Sequence, residues 1–385
     1  MKKVLYISHP AFLDFDYPIL KRLSREVDLH ILVKFNNRTK NMTIFNYPGD
    51  LKTGIYSKDN VSKTQFQVFL DHEKISEVYY LFNEKTNPIL PKNILLQIKL
   101  IRILIKKKIR IVHCNEQIGL NLFLIHFLPY IKIHLNVHDP VAHLGERFVL
   151  NEISKKISLA RANNLYIFNK IQFQKFQKTF LGKIKHTSYL KMGIYESYLK
   201  SDQSSLSNQK STNESLKVLF FGRFQKYKGI EILVKACKIL NEADFQFQCT
   251  IAGSGKFNLF KEIETLNNRI KLINKYIETE ELKELITNTD VIVCPYIDAS
   301  QSGVVMTAFA FKKPVIVSNV GGLTDMVNHK RTGLICSAGD SQILADTIIE
   351  FTQLKDTIDF YRNINEDYFL KNPWDSFVKH LKELY

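Results

Sequence analysis

No Cys-x-x-Cys pair and no apolar run of membrane-spanning length occurs in this chain. Its five cysteines (Cys114, Cys237, Cys249, Cys294 and Cys336) stand far apart, and an odd number cannot all pair within one chain. A reduced, cytoplasmic compartment is expected, rather than a disulfide scaffold. The most apolar stretch, Ile118 to Ile131, is interrupted by Asn121, His126 and Pro129 and falls short of the roughly 20 residues needed to cross a bilayer. At the start, two lysines precede a short apolar run that stops at Ser8, His9 and Pro10. That run is too short for a signal-peptide core and predicts a first buried strand.

Negative charge is in short supply. Against 54 Lys and Arg there are 38 Asp and Glu, a formal charge of +16, which favours anionic partners: nucleic acid, acidic membrane or phosphorylated substrate. A nucleic-acid binder should interleave aromatic with basic residues on one face or carry a helix-turn-helix pattern. Neither is present, and Phe173 to Lys178 comes nearest. The densest basic segment, Lys99 to Arg110, puts Lys99, Arg102 and Lys106 at helical spacing on one face. That pattern suits a solvated helix face or a patch resting on anionic lipid.

What remains is the composition of a soluble globular protein, 45% hydrophobic and 24% charged, and the 385 residues suffice for two domains. Short apolar runs alternate with amphipathic stretches in the first half. Val4–Ser8, Leu29–Val33, Ile109–Cys114, Ile131–Val137 and Asn164–Phe168 read as strands, and Ile19–Leu23 as part of a helix. Residues 200–215 are rich in Ser, Asn and Gln and bury almost nothing, so they read as a linker or exposed loop. The alternation then restarts with Val218–Phe221, Gln248–Ala252, Ile270–Ile273, Asp290–Cys294 and Val315–Ser318. Parallel sheets covered on both faces are expected. The boundaries fall at 1–195 for the first domain, 196–215 for the linker, 216–365 for the second domain and 366–385 for a terminal helix, in which Ser376 or Asp375 is able to cap.

Three segments carry chemistry. In Val218 to Cys237 a buried strand ends at Gly222, a basic loop holds Arg223 and Lys228, and a helix begins near Gly229. Helix amino termini offer unpaired N–H groups and partial positive charge, to which Arg223 adds a planar fork and Lys228 a point charge, in outline a diphosphate site. Ile251-Ala252-Gly253-Ser254-Gly255 is a strand running into a glycine turn, without the third glycine of a dinucleotide fingerprint. In Asp290 to Leu323 a strand leads through Gln301-Ser302-Gly303 into a second helix start, and Lys313-Pro314 leads into another strand ending at Gly321-Gly322. Two helix starts on the carboxyl edge of one parallel sheet would face a common crevice.

From about Leu216 to Asp340 the order and spacing of these pieces, with Thr332-Gly333-Leu334, resemble the donor-binding domain of retaining GT-B glycosyltransferases of family 4. The resemblance implies an α/β fold of two Rossmann-like domains with a cleft between them and a carboxyl-terminal helix crossing back. It implies transfer of a sugar from a nucleotide diphosphate donor to a glycan or lipid-linked glycan, with retention and with no metal or other cofactor. Arg223 and Lys228 would grip the donor diphosphate and stabilise the departing nucleotide. The departing phosphate would assist deprotonation of the acceptor, so no dedicated base is required. His138, at the end of an apolar strand, would contact the donor sugar, with Asp139 beside it and His143 as lesser candidates for acceptor contact or acid–base help. The expected nucleotide-binding set is Gly222, Gly253, Ile277, Ser302, Gly303, Val304 and Thr307. Many members carry two glutamates seven residues apart, and here Ala299 and Thr307 stand in those positions.

Asp14-Phe15-Asp16 matches an Asp-x-Asp metal motif but, just before a helix, suits turn and capping chemistry better. His134 and His138 are four apart on a strand rather than on a zinc-binding helix, so no metal site is indicated. The same diphosphate site would serve a nucleotide-sugar epimerase or a non-catalytic nucleotide-sugar-binding protein. Nucleic acid is not expected as a partner; an anionic membrane surface is, through the basic amino-terminal half, which would make the protein peripheral at the inner membrane face.

Overall fold

The structure is a computed structural model. It describes all residues except 38, 40–50, 61–69, 71–72, 85–89, 116–117, 139–148, 181–185, 200–214, 257 and 267–268. Of the expected linker, 196–215, residues 200–214 lie outside the described residues, whereas Glu196–Tyr198 form a helical turn in which Ser197 and Tyr198 are buried. The chain forms two compact units, Met1–Lys191 with Trp374–Tyr385, and Met192–Pro373. Residues 192–195, expected with the first domain, and 366–373, expected with the last helix, thus belong to the second unit.

The first unit is built on β1 (Lys3–Ser8), β2 (Asp28–Phe35), β3 (Gly54–Ser57), β4 (Ile75–Phe82), β5 (Ile111–Asn115), β6 (Lys132–Val137), β7 (Asn164–Ile167) and β8 (His186–Tyr189). Their order is β3-β4-β2-β1-β5-β6-β7-β8, parallel throughout except that β3 runs antiparallel to β4. Successive strand residues point to opposite faces, and here the two faces differ in kind. One is aliphatic, with Leu5, Ile7, Leu32, Val112, Ile133, Leu135 and Leu165 in a continuous core that also takes Leu100 and Leu104 of helix Pro91–Lys107. The other carries rings in register: Tyr6 pairs with His113, and His113 with His134.

That aromatic face is covered by the last helix, Pro373–Leu384. Trp374 is fully buried and meets Phe15 edge-on at 4.9 Å between ring centroids. Phe377 packs against Phe168 and Tyr166, both at 5.5 Å. Asp375, read as a possible cap, lies in the first turn of this helix and takes the Nε–H of Arg22 at 2.5 Å.

The second unit has β9 (Leu216–Phe221), β10 (Phe247–Gly253), β11 (Ile270–Asn274), β12 (Val291–Cys294), β13 (Val315–Ser318) and β14 (Gly333–Cys336). The order is β11-β10-β9-β12-β13-β14, with every pairing parallel. Strands buried on both faces read as continuous apolar runs, as β12 (Val-Ile-Val-Cys) and β13 (Val-Ile-Val-Ser) do. Helix Ile230–Glu242 buries Ile230, Leu233, Val234, Cys237 and Leu240, the spacing of one helical face. Among the described residues no helix is long and apolar enough to cross a membrane.

Candidate functional site

In the second unit the strand order reverses at β9, which has β10 on one side and β12 on the other. Ligands of open parallel sheets bind outside the carboxyl ends of the strands at such a reversal. Here those ends are Phe221 of β9 and Cys294 of β12, and the segments leaving them are tied together. Ile297 N–H donates to the Tyr227 carbonyl at 2.8 Å, and Lys228 Nζ donates to the Tyr296 hydroxyl at 3.0 Å. Ser302 Oγ donates to that same hydroxyl at 3.4 Å and accepts the Val305 amide as cap of helix Gly303–Ala310. The chain thereby links the phosphate-binding candidate Lys228 to the second helix start.

Glycine makes this closeness feasible. A Cβ at Gly222 would lie 3.0 Å from Lys228 Nζ and 3.7 Å from Val304, so these three predicted residues meet at one point. Gly253 packs on the Gly222 carbonyl, where a Cβ would come within 1.8 Å. The β9 and β10 loops are held by Gly222 N–H to Ala252 O at 3.0 Å and Phe224 N–H to Ser254 O at 2.8 Å.

Lys228 is 9% exposed. Burial pushes its ammonium down from the usual lysine range to about 8; the neighbouring Cys294 raises it and Arg223 lowers it further. Tyr296 lies beneath the ammonium, its ring centroid 4.9 Å from Nζ, and burial drives its hydroxyl well above the usual tyrosine range. Burial also pushes the Cys294 thiol up to about 12, so Cys294 and Tyr296 are neutral at physiological pH. The net local charge is positive, which suits an anion. The first N–H groups of the two helices after β9 and β12 add donors of the same sense.

Of the remaining predicted residues, Arg223 is exposed in the turn after Gly222, while Thr307 is buried inside helix Gly303–Ala310. Gly303 faces Tyr195, with a Cβ there 3.0 Å from the ring. Ile277 is half-buried in the segment after β11, whose Asn274 side chain donates to the Gly255 carbonyl at 3.3 Å. Ala299 is buried, and its carbonyl accepts the Gly322 amide at 3.3 Å. Tyr296 was not singled out in the sequence. Its only signal is that it directly follows the Cys294-Pro295 end of a buried strand.

In the first unit His138 follows β6 and is buried. Its ring stacks on Phe12 at 4.5 Å, meets Phe15 edge-on at 4.5 Å, and has Nε2 3.0 Å from Asn115 Oδ1. Asp139 and His143 lie outside the described residues. His134 is not paired with His138. Its Nδ1 bonds the Tyr166 hydroxyl at 2.8 Å, and burial lowers its imidazole far below the usual histidine range.

Asp14 lies in the first turn of helix Leu13–Leu23, but the reading of Asp16 as a turn and capping residue needs correction. Asp16 is fully buried within helix Leu13–Leu23. It accepts hydrogen bonds from Tyr6 Oη at 2.6 Å, from Ser8 Oγ and from Asn115 Nδ2 at 2.6 Å. Burial pushes its carboxyl up to about 7 against the opposing effect of these donors. Among the described residues no cluster of three or more His, Cys, Asp or Glu could hold a metal ion.

Comparison with known proteins adds independent findings. Residues 202–367 match the family described as glycosyl transferases group 1. The amylovoran biosynthesis glycosyltransferase AmsK of Erwinia amylovora is 25% identical over 175 residues, 42% of this chain and 42% of that protein. The matched segment therefore spans less than half the length of this curated relative. Solved structures are alike over the whole chain. Sucrose-phosphate synthase from Thermosynechococcus elongatus gives a TM-score of 0.69 at 17% identity over 100% of this chain and 98% of that one. HepE of Anabaena, solved in complex with UDP and glucose, gives 0.68 at 18% identity over 100% and 99%. The fold is GT-B, two Rossmann-like units, and the residues that match the group 1 glycosyl transferases lie within the second unit.

Proposed function

We propose that this protein is a glycosyltransferase that takes a sugar from a nucleoside diphosphate donor and passes it to a glycan or lipid-linked glycan, with retention and without a metal. The observation that carries the reading is the hydrogen-bonded link Lys228–Tyr296–Ser302 at the strand-order reversal. It joins a buried cation to a helix start, beside the close backbone approach at Gly222 and Gly253. A diphosphate seated there gains negative charge as the glycosidic bond breaks. Fixed cations and helix dipoles in a desolvated pocket then stabilise the leaving group more than the intact donor, by several kcal/mol in comparable sites. The proton of the acceptor hydroxyl passes to the departing phosphate.

HepE, of like fold, has also been solved in complex with UDP-glucose, so uridine nucleotides head the candidates for donor. His138 would contact the transferred sugar. Thr307, where relatives by resemblance carry a glutamate, offers one hydroxyl to the ribose. AmsK is named for amylovoran biosynthesis, and a polysaccharide precursor is the acceptor class this supports. The basic face of helix Pro91–Lys107 would bring the chain to a membrane-borne acceptor.

The test is thermal stabilisation by UDP, GDP, ADP and UDP-glucose with chelator present throughout. The proteins compared are wild type and the double variant Arg223→Ala with Lys228→Ala. One nucleotide should stabilise wild type and lose its effect in the double variant. Equal shifts in both proteins, or none with any nucleotide, would sink the diphosphate assignment.

A further inference from the structure

Among the described residues of the first unit, two hydrogen-bonded branches of buried polar groups converge on the carboxylate of Asp16. In the longer branch the Tyr385 hydroxyl lies 2.5 Å from His113 Nδ1, and His113 Nε2 lies 2.9 Å from Asn136 Oδ1. Asn136 Nδ2 donates to Tyr6 Oη at 3.1 Å, and Tyr6 Oη donates to Asp16 at 2.6 Å. In the shorter branch Asn115 Nδ2 donates to Asp16 at 2.6 Å, and Asn115 Oδ1 lies 3.0 Å from His138 Nε2.

An ionised carboxylate only accepts, so every group touching it must present hydrogen. That requirement propagates outward. Asn115 must turn its NH2 toward Asp16 and therefore its oxygen toward His138. An amide oxygen cannot donate, so His138 must carry its hydrogen on Nε2. The longer branch obeys the same polarity at each joint. His113, held neutral because burial pushes its imidazole down to about 4, donates from Nε2 and accepts at Nδ1.

We infer that Asp16 is a positioning residue for His138, acting through Asn115 to fix which ring nitrogen of His138 carries hydrogen. Nδ1 is then the ring nitrogen that carries the lone pair. Outer partners set histidine tautomers in this way in many functional sites. The consequence for turnover rests on the reading of His138 as a sugar contact. The tautomer itself does not.

Nitrogen-15 NMR of histidine-labelled protein, free of ligand, tests this at about pH 8.5, above the value of about 7 to which burial raises Asp16. Wild type should show His138 as a single Nε2–H tautomer. Asp16→Asn, which no longer demands a donor from Asn115, should give a mixture or the Nδ1–H form. Asn115→Ala keeps the carboxylate with its Tyr6 and Ser8 partners and should also lose the preference, which guards against Asp16→Asn failing to fold. Tyr6→Phe cuts only the longer branch and should leave the His138 tautomer as it is. A pure Nε2–H form retained in both Asp16→Asn and Asn115→Ala, or lost in Tyr6→Phe, overturns the proposal. If UDP-glucose is turned over, Asp16→Asn should lower kcat tenfold or more with KM for the donor within about twofold. Absence of turnover in wild type would count against the glycosyltransferase reading and leave the tautomer result standing.

Discussion

Lys228 is a group whose chemistry works against its own fold. A base whose folded-state value, about 8, lies below the unfolded one holds its proton less tightly when folded. The resulting destabilisation is full below pH 8 and fades as pH rises through 8 toward 10.5. Lys228→Met is therefore expected to raise the stability of the ligand-free protein at pH 7 by about 2 kcal/mol, a discount on the ~1.4 kcal/mol per pKa unit that the shift implies. The gain should vanish near pH ~10.5, and stabilisation by UDP should be lost at both. Urea unfolding with and without UDP checks both signs; a variant less stable than wild type at pH 7 would show that the ammonium is already satisfied by Tyr296. None of this was legible in the sequence beyond the presence of a lysine after a glycine turn, because burial and the Tyr296 partner are products of tertiary packing. Asp16 makes the same point more strongly. An acidic residue two positions from another at a helix start looks like surface capping, and only the fold reveals three donors converging on it.

At the scale of elements, the contact between the loops after β9 and β12 depends on Gly229. Its φ is +67° and a Cβ there would stand 1.9 Å from the Pro295 carbonyl oxygen, a backbone atom that cannot swing aside. Gly339 has a similar φ of +78°, but a Cβ added to it would meet nothing within 4 Å. The pair separates two costs. Gly339→Ala should lose about 1 kcal/mol, the strain of a left-handed L-residue alone. Gly229→Ala adds the clash and should lose about 2–4 kcal/mol, while pushing Lys228 from Tyr296 and weakening UDP stabilisation. Equal losses in urea unfolding would mean that the β9–β12 contact gives way freely. The strands β1, β2, β5 to β7 and β9 to β13 were legible as short apolar runs, most plainly β5, β7, β12 and β13, because a strand buried on both faces has little freedom in composition. β3, β8 and β14 were not, being four residues each and rich in polar or small side chains. In β4 the polar Ser76 and Glu77 follow Ile75, and its apolar run emerges only from Val78 onward.

For the whole molecule, the surplus of +16 is not spread evenly over what the described surface exposes. Helix Pro91–Lys107 buries Leu96, Leu100 and Leu104 in the core and turns outward Lys92, Lys99, Arg102 and Lys106. Among these cations it also exposes Leu95 at 64% and Ile105 at 58%. Isolated exposed leucines need no explanation, but large apolar side chains interleaved with cations on one outward face suit the boundary between headgroups and acyl chains. Lysine and arginine near an anionic bilayer contribute about 1 kcal/mol each. Charge reversal at Lys92, Arg102 and Lys106 should therefore weaken binding to vesicles containing phosphatidylserine by about a hundredfold or more. Binding should also fall as salt is raised. Leu95→Ser with Ile105→Ser should weaken binding by about 1.5–3 kcal/mol per side chain at most, and without changing the salt dependence. Flotation on anionic and on neutral vesicles measures both. Equal flotation of wild type on the two vesicle types would remove the part assigned to the cations, and no flotation on either would remove the membrane altogether and leave a soluble acceptor as the direction in which to search.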